Sequence, residues 1–301
     1  MLMGTIASPA LLATPHAERR ELIARIVDQG IDHVFVADHV SFVNGMGMDG
    51  LINAATLTAH HERLKVVVGV YLLALRHPVT VARQLATLAE SAPGQLLLGV
   101  GVGGEDRNEI AMCGVDPGNR GRRTDECLTI LKGLSSGEPF SFDGEFFRFR
   151  QAVIRPAPDP VIPLLIGGRV DASLERAARF GDGWLAVWVS ADRFRRATST
   201  VNERARELGR PPLALHGLQL WAGIDANRDR ARARLARGME NFYHLPFERF
   251  EKYTPYGSPA EVAEFLSPYR EAGCELFNIM PIADNEAAAI DAVAEIRARL
   301  A

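Results

Sequence analysis

An acidic side chain and a histidine stand side by side at the end of the second predicted strand. Asp38 and His39 follow the apolar run VFVA and precede a glycine-containing loop, SFVNGMGMDG. Ligands bind at the carboxyl ends of parallel strands, and a histidine there could transfer a proton near neutral pH. The pair is therefore a candidate for acid–base chemistry. Two other interpretations stay open: Asp38 could cap the loop, and His39 could be a surface residue.

A second group of polar residues follows the third predicted strand. Arg76 and His77 precede Pro78, a residue that favours the first turn of a helix. Arg76 could bind an anion or pair with Asp38, and the sequence leaves both possibilities open. Asp38, His39 and His77 could also be metal ligands. Because no His-x-His pair ends a strand, we expect no metal.

A glycine-rich loop follows the fourth predicted strand. Its sequence, GVGVGG, lacks the Gly-Lys-Ser/Thr of a Walker A motif. Without a Cβ in the way, a planar ring or a phosphate could approach the backbone at Gly101 and Gly103. On a helical turn beginning near Glu105, the side chains of Glu105, Asn108 and Glu109 would share a face over the site. The alternatives are a solvated face or acidic residues favoured by the helix dipole.

The loop after the fifth predicted strand has the composition of an anion site. Gly167, Gly168 and Arg169 precede a helix-length segment. Open amides at a helix N-terminus, together with a guanidinium, favour the binding of a phosphate. A plain turn between strand and helix is the alternative.

Short apolar runs alternate with amphipathic segments along the whole chain, the pattern of repeated βα units. We predict strands over residues 3–7, 33–37, 66–72, 95–100, 163–166, 183–187, 213–222 and 276–280. We predict helices over residues 17–29, 49–61, 79–91, 120–134, 172–180, 193–208, 227–239, 259–272 and 285–300. In the helix over 120–134, four apolar residues at three- and four-residue spacing predict one buried face: Cys127, Leu128, Leu131 and Leu134.

These elements predict a single (β/α)8 TIM barrel over residues 1–301, with the site residues at its carboxyl-end mouth. A doubly wound sheet is disfavoured, because the first strand is not followed by GxGxxG. Insertions at about 103–119, 138–154 and 238–257 would surround the mouth. The second reads as a hairpin projecting from the barrel around Asp143-Gly144, and the third is an aromatic lid or pocket wall.

Composition excludes several classes of protein. The formal net charge of −3 gives no basic field for nucleic acid. Three cysteines at 113, 127 and 274, without CxxC spacing, favour free thiols in a reducing compartment. No signal peptide is evident, and no apolar run approaches the ~20 residues that span a bilayer. We therefore expect a cytoplasmic protein that binds neither nucleic acid nor membranes.

Several motifs in order carry a family likeness. ADH at 37–39, RHP at 76–78, LGVGVGGEDRNE at 98–109 and IGG followed by AARFGDGW at 166–184 resemble the luciferase-like monooxygenase superfamily. The segment at 257–281 resembles that family's last βα units. The resemblance implies a barrel, usually dimeric, that binds FMN or the deazaflavin coenzyme F420 with its ring in the mouth.

The resemblance also implies roles for particular residues. His39 matches a functional histidine, and Glu105 matches a proton donor of the F420-dependent sugar-phosphate dehydrogenases. The loop here has an extra glycine, so Asn108 and Glu109 match the family's ExxNE spacing better. We include the neighbouring Asp38 among the coenzyme-binding residues.

Further coenzyme and substrate contacts follow from the same likeness. A non-proline cis peptide near residues 71–73 implies that Tyr71 and Leu72 support the ring. Gly167, Gly168 and Arg169 correspond to the phosphate loop, and Trp184 to an aromatic residue of the substrate pocket. The basic residues that hold a sugar phosphate have no counterpart, so we do not expect that substrate.

The expected function is hydride transfer between F420 and a small, fairly apolar substrate, with His39 or Glu105 as acid or base. One alternative is a two-component monooxygenase using reduced FMN and oxygen. Another is a protein that binds a flavin or an apolar ligand without turnover. We expect a homodimer, and a separate flavin or F420 reductase could be its partner.

Overall fold

The computed structural model describes residues 1–43, 45–104 and 106–301. Its strands are β1 (Leu2–Ile6), β2 (His33–Val36), β3 (His39–Phe42), β4 (Met46–Met48), β5 (Lys65–Leu72), β6 (Leu96–Gly101), β7 (Phe140–Asp143), β8 (Arg148–Ala152), β9 (Leu164–Gly167), β10 (Gly183–Val187), β11 (Gly217–Ile224), β12 (Tyr256–Gly257) and β13 (Leu276–Ile282). Its helices are α1 (Pro9–Ala13), α2 (His16–Asp28), α3 (Gly50–Thr58), α4 (Pro78–Ser91), α5 (Arg107–Met112), α6 (Arg120–Leu134), α7 (Asp171–Phe180), α8 (Ala191–Glu207), α9 (Arg228–Tyr243), α10 (Pro259–Glu271) and α11 (Glu286–Leu300).

Eight of the described strands close into a parallel barrel. Their order around it is β1, β2, β5, β6, β9, β10, β11 and β13, and β13 pairs again with β1. The predicted barrel is confirmed. The seventh strand begins at Gly217 rather than at Leu213, because the segment that follows Pro211 and Pro212 makes no ladder before that point.

Apolar side chains fill the inside of the barrel and the layer between strands and helices. The interior cluster consists of Phe35, Val67, Leu97, Leu165, Leu185, Leu276 and Met280. On α6 the predicted face is confirmed, since Cys127, Leu128, Leu131 and Leu134 are all buried in the outer layer. The barrel is therefore a packed core with its site at one end.

A chain of buried polar side chains crosses the barrel interior. The His33 ring nitrogen Nε2 lies 2.7 Å from Asn278 Oδ1. Asn278 donates to Gln219 at 3.1 Å, and Gln219 donates to the backbone carbonyl of Gly69 at 3.2 Å. These directions place the His33 proton on Nε2, so its Nδ1 remains an acceptor without a partner.

This buried histidine predicts an acid-sensitive fold. Burial lowers the pKa of His33 from 6.5 to about 4, so below pH 6.5 the unfolded chain binds the proton first. Its contribution to stability is full above pH 6.5 and is lost as the pH falls toward 4. When the pH falls from 7 to 5, the free energy of unfolding should decrease by about 2 kcal/mol less in His33→Gln than in the wild type. Urea titrations of both proteins at the two pH values measure these decreases. Equal losses for both proteins would contradict this assignment.

The two additions to the barrel differ from expectation in their placement. Strands β7 and β8 form the predicted hairpin, but it lies against α6 and does not project. Glu126 of α6 accepts hydrogen bonds from the backbone of Glu145 and Phe146 at 2.6 and 3.0 Å. Its phenylalanines pack against the outer core, which explains the docking: Phe140, Phe142, Phe146 and Phe149.

The aromatic segment over 238–257 is more regular than predicted. Helix α9 continues through Tyr243, and two 3₁₀ turns follow at Phe247–Arg249 and Glu251–Tyr253. The three cysteines are free, as predicted. No helix among the described residues is long and apolar enough to cross a membrane.

Candidate active site at the barrel mouth

His39 and Glu109 form a hydrogen-bonded pair at the mouth. His39 begins β3, just after the second barrel strand, and its Nδ1 lies 3.0 Å from Glu109 Oε2. The other carboxylate oxygen accepts from the backbone amides of Val40 and Ser41 at 2.6 and 3.1 Å. Glu109 is buried, whereas the His39 side chain is 23% exposed. A carboxylate on Nδ1 fixes the ring and leaves Nε2 as the nitrogen for proton transfer.

Asp38 is buried and faces away from the mouth, where the prediction placed a coenzyme contact. It is 1% exposed, accepts from the amides of Gly50 and Leu72, and pairs with Arg76 through both oxygens. Consecutive residues at a strand end face opposite sides, so His39 reaches the mouth while Asp38 turns into the outer layer. Of the two possibilities for Arg76, the structure shows the pairing with Asp38.

The predicted metal alternative has no geometric support. His77 caps α4 and packs edge-on against Phe147 at 5.3 Å, and Asp38 is held by Arg76. Across residues 1–43, 45–104 and 106–301, no cluster of three or more potential ligands could hold a metal ion.

Glycines shape one half of the mouth around Val70. A Cβ on Gly101 would lie 2.4 Å from Val70, and one on Gly167 would lie 2.8 Å from it. Gly69 and Val70 are joined by a cis peptide, slightly before the predicted position near residues 71–73. The ends of β5, β6 and β9 therefore form one surface, here called the glycine surface, in which the Val70 side chain packs closely against Gly101 and Gly167.

The residues after this loop fall into two groups. Gly103 has a φ of +69°, which suits glycine at the turn before α5. Asn108 is exposed and Glu109 is buried, so the predicted shared face is wrong for these two. The helix begins only at Arg107, and adjacent helical residues point about 100° apart. Glu105, predicted as a catalytic acid, lies outside the described residues.

Two predicted coenzyme contacts, Tyr71 and Leu72, point away from the mouth. Tyr71 is 1% exposed and lies under the Arg76 guanidinium, 4.4 Å from its ring centroid. Leu72 donates its amide to Asp38 at 2.8 Å, and its side chain is buried beneath Gly103. Both side chains are therefore packed inside the protein and not exposed at the mouth.

The loop after β9, predicted as an anion site, joins the end of the strand to α7 through Gly168, Arg169 and Val170. Gly168 has a φ of +129° and a Cβ there would lie 2.8 Å from Ser173, so glycine is required. Helix α7 follows with no side-chain cap, which leaves first-turn amides for a ligand. Arg169 is exposed, and Arg193 donates to its carbonyl at 2.6 Å. Two guanidinium groups thus lie beside the loop.

Trp184 is a support for this loop and not a pocket residue, which corrects the prediction. It is 1% exposed, packs against Phe194 at 5.6 Å, and donates its indole N–H to the carbonyl of Gly168 at 2.8 Å. Four residues later, Trp188 lies past the strand end, with the Arg169 guanidinium 5.0 Å from its ring centroid. Trp188, and not the predicted Trp184, is therefore the tryptophan that lies beside Arg169.

Aromatic residues line the other half of the mouth; the predicted segment 238–257 includes Phe242 and Tyr243, but Phe42 and Trp221 were not predicted. Phe42 stacks on His39 at 4.4 Å and contacts Phe242 at 5.5 Å. Trp221, near the end of β11, donates to the Tyr243 hydroxyl at 3.2 Å. A tryptophan near the end of a predicted barrel strand was the available signal.

The described residues fit a flavin-like coenzyme. A flat ring could lie against the glycine surface over Val70, and a phosphate could meet the loop of Gly167, Gly168 and Arg169. His39 and the aromatic residues then border the ring on the opposite side. This arrangement suits two-electron chemistry on an organic substrate.

Comparison with known proteins agrees with this fit. The F420-dependent glucose-6-phosphate dehydrogenase of Kineococcus radiotolerans is 30% identical over 53% of this chain and 49% of its own length. This chain spans about half to 60% of the length of the curated relatives it matches.

Two solved structures share the fold over nearly their entire length. An F420-dependent secondary alcohol dehydrogenase in complex with an F420-acetone adduct has a TM-score of 0.85 at 22% identity, covering 100% of this chain and 99% of its own. The oxygenating constituent of 3,6-diketocamphane monooxygenase of Pseudomonas putida, in complex with FMN, has a TM-score of 0.76 at 18% identity, covering 100% and 98%.

The family model described as luciferase-like monooxygenase matches residues 2–272. That match covers every barrel strand except the last, together with each of the site loops described above. The chain therefore belongs to the luciferase-like monooxygenases, a family of oxidoreductases that use F420 or a flavin.

Proposed function

We propose that this protein is an F420-dependent oxidoreductase that moves a hydride between the coenzyme and a small, uncharged organic substrate. The observation that carries the proposal is the His39–Glu109 pair, which borders the glycine surface at the mouth. An F420-dependent relative and a full-length F420-dependent fold neighbour support the same choice of coenzyme.

Different residues of this chain would bind the coenzyme and transfer the proton. Gly101 and Gly167 would let the ring approach the backbone, and Arg169 with the first amides of α7 would hold its phosphate. When bound, F420 would supply or accept the hydride. Glu109 keeps a proton on Nδ1 of His39, and His39 Nε2 would exchange a proton with the substrate oxygen as its charge changes.

An FMN-dependent monooxygenase is the second candidate, favoured by the family description and by an FMN-bound fold neighbour. The glycine surface and the phosphate loop would serve FMN equally well. In that case His39 would stabilise an oxygenated intermediate by hydrogen bonding, in a site shielded from water.

The test is an anaerobic fluorescence titration of the purified protein with F420 and, separately, with oxidised and reduced FMN. We expect saturable F420 binding that is tighter than binding of either flavin. Preferential binding of reduced FMN would favour the monooxygenase instead. If neither coenzyme bound, the oxidoreductase proposal would be abandoned.

A charge reversal at Arg169 tests the phosphate loop. Arg169→Glu should weaken coenzyme binding about tenfold to 100-fold, the value of one charged hydrogen bond, without changing the melting temperature. Arg206→Glu is the matched control, because Arg206 is exposed in the last turn of α8, away from the mouth. Equal affinities for the two variants would refute the loop assignment.

A further inference from the structure

A continuous row of aromatic side chains, here called the aromatic wall, runs along one side of the mouth. Successive ring centroids lie 4.8 to 5.8 Å apart, within the range of stacked and edge-to-face contacts. The wall consists of Phe42, Trp188, Trp221, Phe242, Tyr243 and Phe250.

The strand order places this wall opposite the glycine surface. Phe42 follows the second barrel strand, Trp221 lies on β11 and Trp188 follows β10, while β1 and β13 lie between β2 and β11. The wall therefore passes over the ends of β1 and β13. The glycine surface belongs to β5, β6 and β9, so a coenzyme there would leave the aromatic side for a substrate.

Charges at the mouth lie at the two ends of the wall. One end meets His39 at 4.4 Å through Phe42, and the other meets the Arg169 guanidinium at 5.0 Å through Trp188. Between these ends the wall is made of uncharged rings. Trp221 packs against both the barrel interior and the buried cluster under α9, so its position is fixed by the core.

Four members of the wall are only partly covered by the protein: Trp188, Trp221, Phe242 and Tyr243. Phe242, in the last turn of α9, is the most exposed of the six at 37%, although it touches rings on both sides. Adjacent apolar rings that stay partly exposed beside a candidate active site are typical of a surface that contacts a ligand. The neighbours of Phe242 in the wall, Phe42 and Trp221, are held by β3 and β11.

From these contacts we infer that the substrate is an uncharged ketone or secondary alcohol carrying a flat apolar ring, and that Phe242 determines this specificity. The inference rests on the proposed function for its chemistry. In the reduction, the carbonyl carbon gains a hydride and the oxygen gains the proton of His39 Nε2, while F420 is oxidised by two electrons. The oxidation of the alcohol reverses each transfer.

Calorimetric titration with three probes distinguishes the contributions of a ring, a charge and a carbonyl group to substrate binding. Acetophenone carries the ring and the carbonyl, benzoate carries the ring with a charge, and 2-butanone carries only the carbonyl. Using protein with and without saturating F420, we expect acetophenone to bind about tenfold tighter than either other probe, the worth of one ring contact. Similar affinities for acetophenone and 2-butanone would overturn the inference.

Two substitutions at Phe242 test whether the ring itself matters. Phe242→Ala should weaken acetophenone binding about tenfold and leave 2-butanone unchanged, and Phe242→Leu should remain weaker than the wild type because it restores bulk without a ring. Leu208→Ala is the control, since Leu208 is 50% exposed at the far end of α8. Wild-type affinity in Phe242→Ala would overturn the role of Phe242.

The same experiment distinguishes this inference from the proposed function. If acetophenone binds in a Phe242-dependent way to protein that binds no F420, the ring site stands and the F420 proposal fails. If F420 binds tightly and Phe242→Ala has no effect on acetophenone, the coenzyme proposal stands and the ring site fails.

Discussion

His39→Gln should lower kcat about 10²-fold to 10⁴-fold, the usual worth of a positioned general acid or base. Glutamine can still hydrogen-bond to Glu109, so β3 should keep its place, but it cannot carry a proton to the substrate oxygen. The coenzyme dissociation constant should remain at the wild-type value, because the proposed coenzyme contacts come from the loops after β6 and β9 and not from His39. Steady-state kinetics with fluorescence titration would measure both quantities.

Glu109→Gln is a second test of the His39–Glu109 pair. The amide oxygen can still accept from Val40 and Ser41, but its NH₂ group would face Nδ1 of His39. That contact favours the neutral tautomer with the proton on Nε2, which cannot accept a proton there, and it disfavours the doubly protonated ring that would donate one. The fall in kcat should therefore appear in both alcohol oxidation and ketone reduction.

Asn108→Ala is the control for this pair, because Asn108 is exposed one position away on the same helix. It should retain wild-type kcat and coenzyme affinity. If His39→Gln kept kcat within about threefold of the wild type, the histidine would be a pocket residue and not a proton carrier. An equal effect of Asn108→Ala would point to a general disturbance of α5.

The barrel could be predicted from the sequence because its signals are local. Alternating apolar runs and amphipathic segments place each strand and helix within a few residues of its observed position, as in β10 and α6. The exceptions have tertiary causes. The hairpin of β7 and β8 lies on α6 because Glu126 caps its backbone, and that contact joins residues about twenty apart.

The site was predicted less well, because it depends on which way each side chain points. Both His39 and Glu109 were identified, but their pairing across 70 residues has no local signal. Asp38 and Trp184 were both placed at the mouth, yet Asp38 faces the outer layer and Trp184 is buried near the start of β10. Along a strand, successive side chains point to opposite faces, so an error of one residue in the strand boundary reverses the predicted face. Sequence periodicity locates a strand end only to within a few residues.

Asp38 shows how a residue in a functional motif can serve the fold. Its carboxylate accepts from two backbone amides and two guanidinium nitrogens, at 2.5 to 3.0 Å. Burial raises the pKa of Asp38, and the Arg76 guanidinium opposes that rise. The group thus joins the end of β5 to the start of α3, beneath the loop that carries His39.

Asp38→Asn should therefore lower the free energy of unfolding by about 3 kcal/mol, because the partly buried Arg76 guanidinium keeps only the longer, more exposed contact with Asp49 at 3.4 Å among its carboxylate partners in the described residues. Urea titration of coenzyme-free protein measures this directly. Replacing both partners, in Asp38→Asn with Arg76→Leu, should recover part of the loss, since no buried charge then remains unpaired. Asp28→Asn is the control: its contact with Arg63 spans 3.8 Å between exposed side chains, and its loss should cost less than about 1 kcal/mol. If Asp38→Asn were as stable as this control but bound F420 more weakly, Asp38 would be a coenzyme ligand after all.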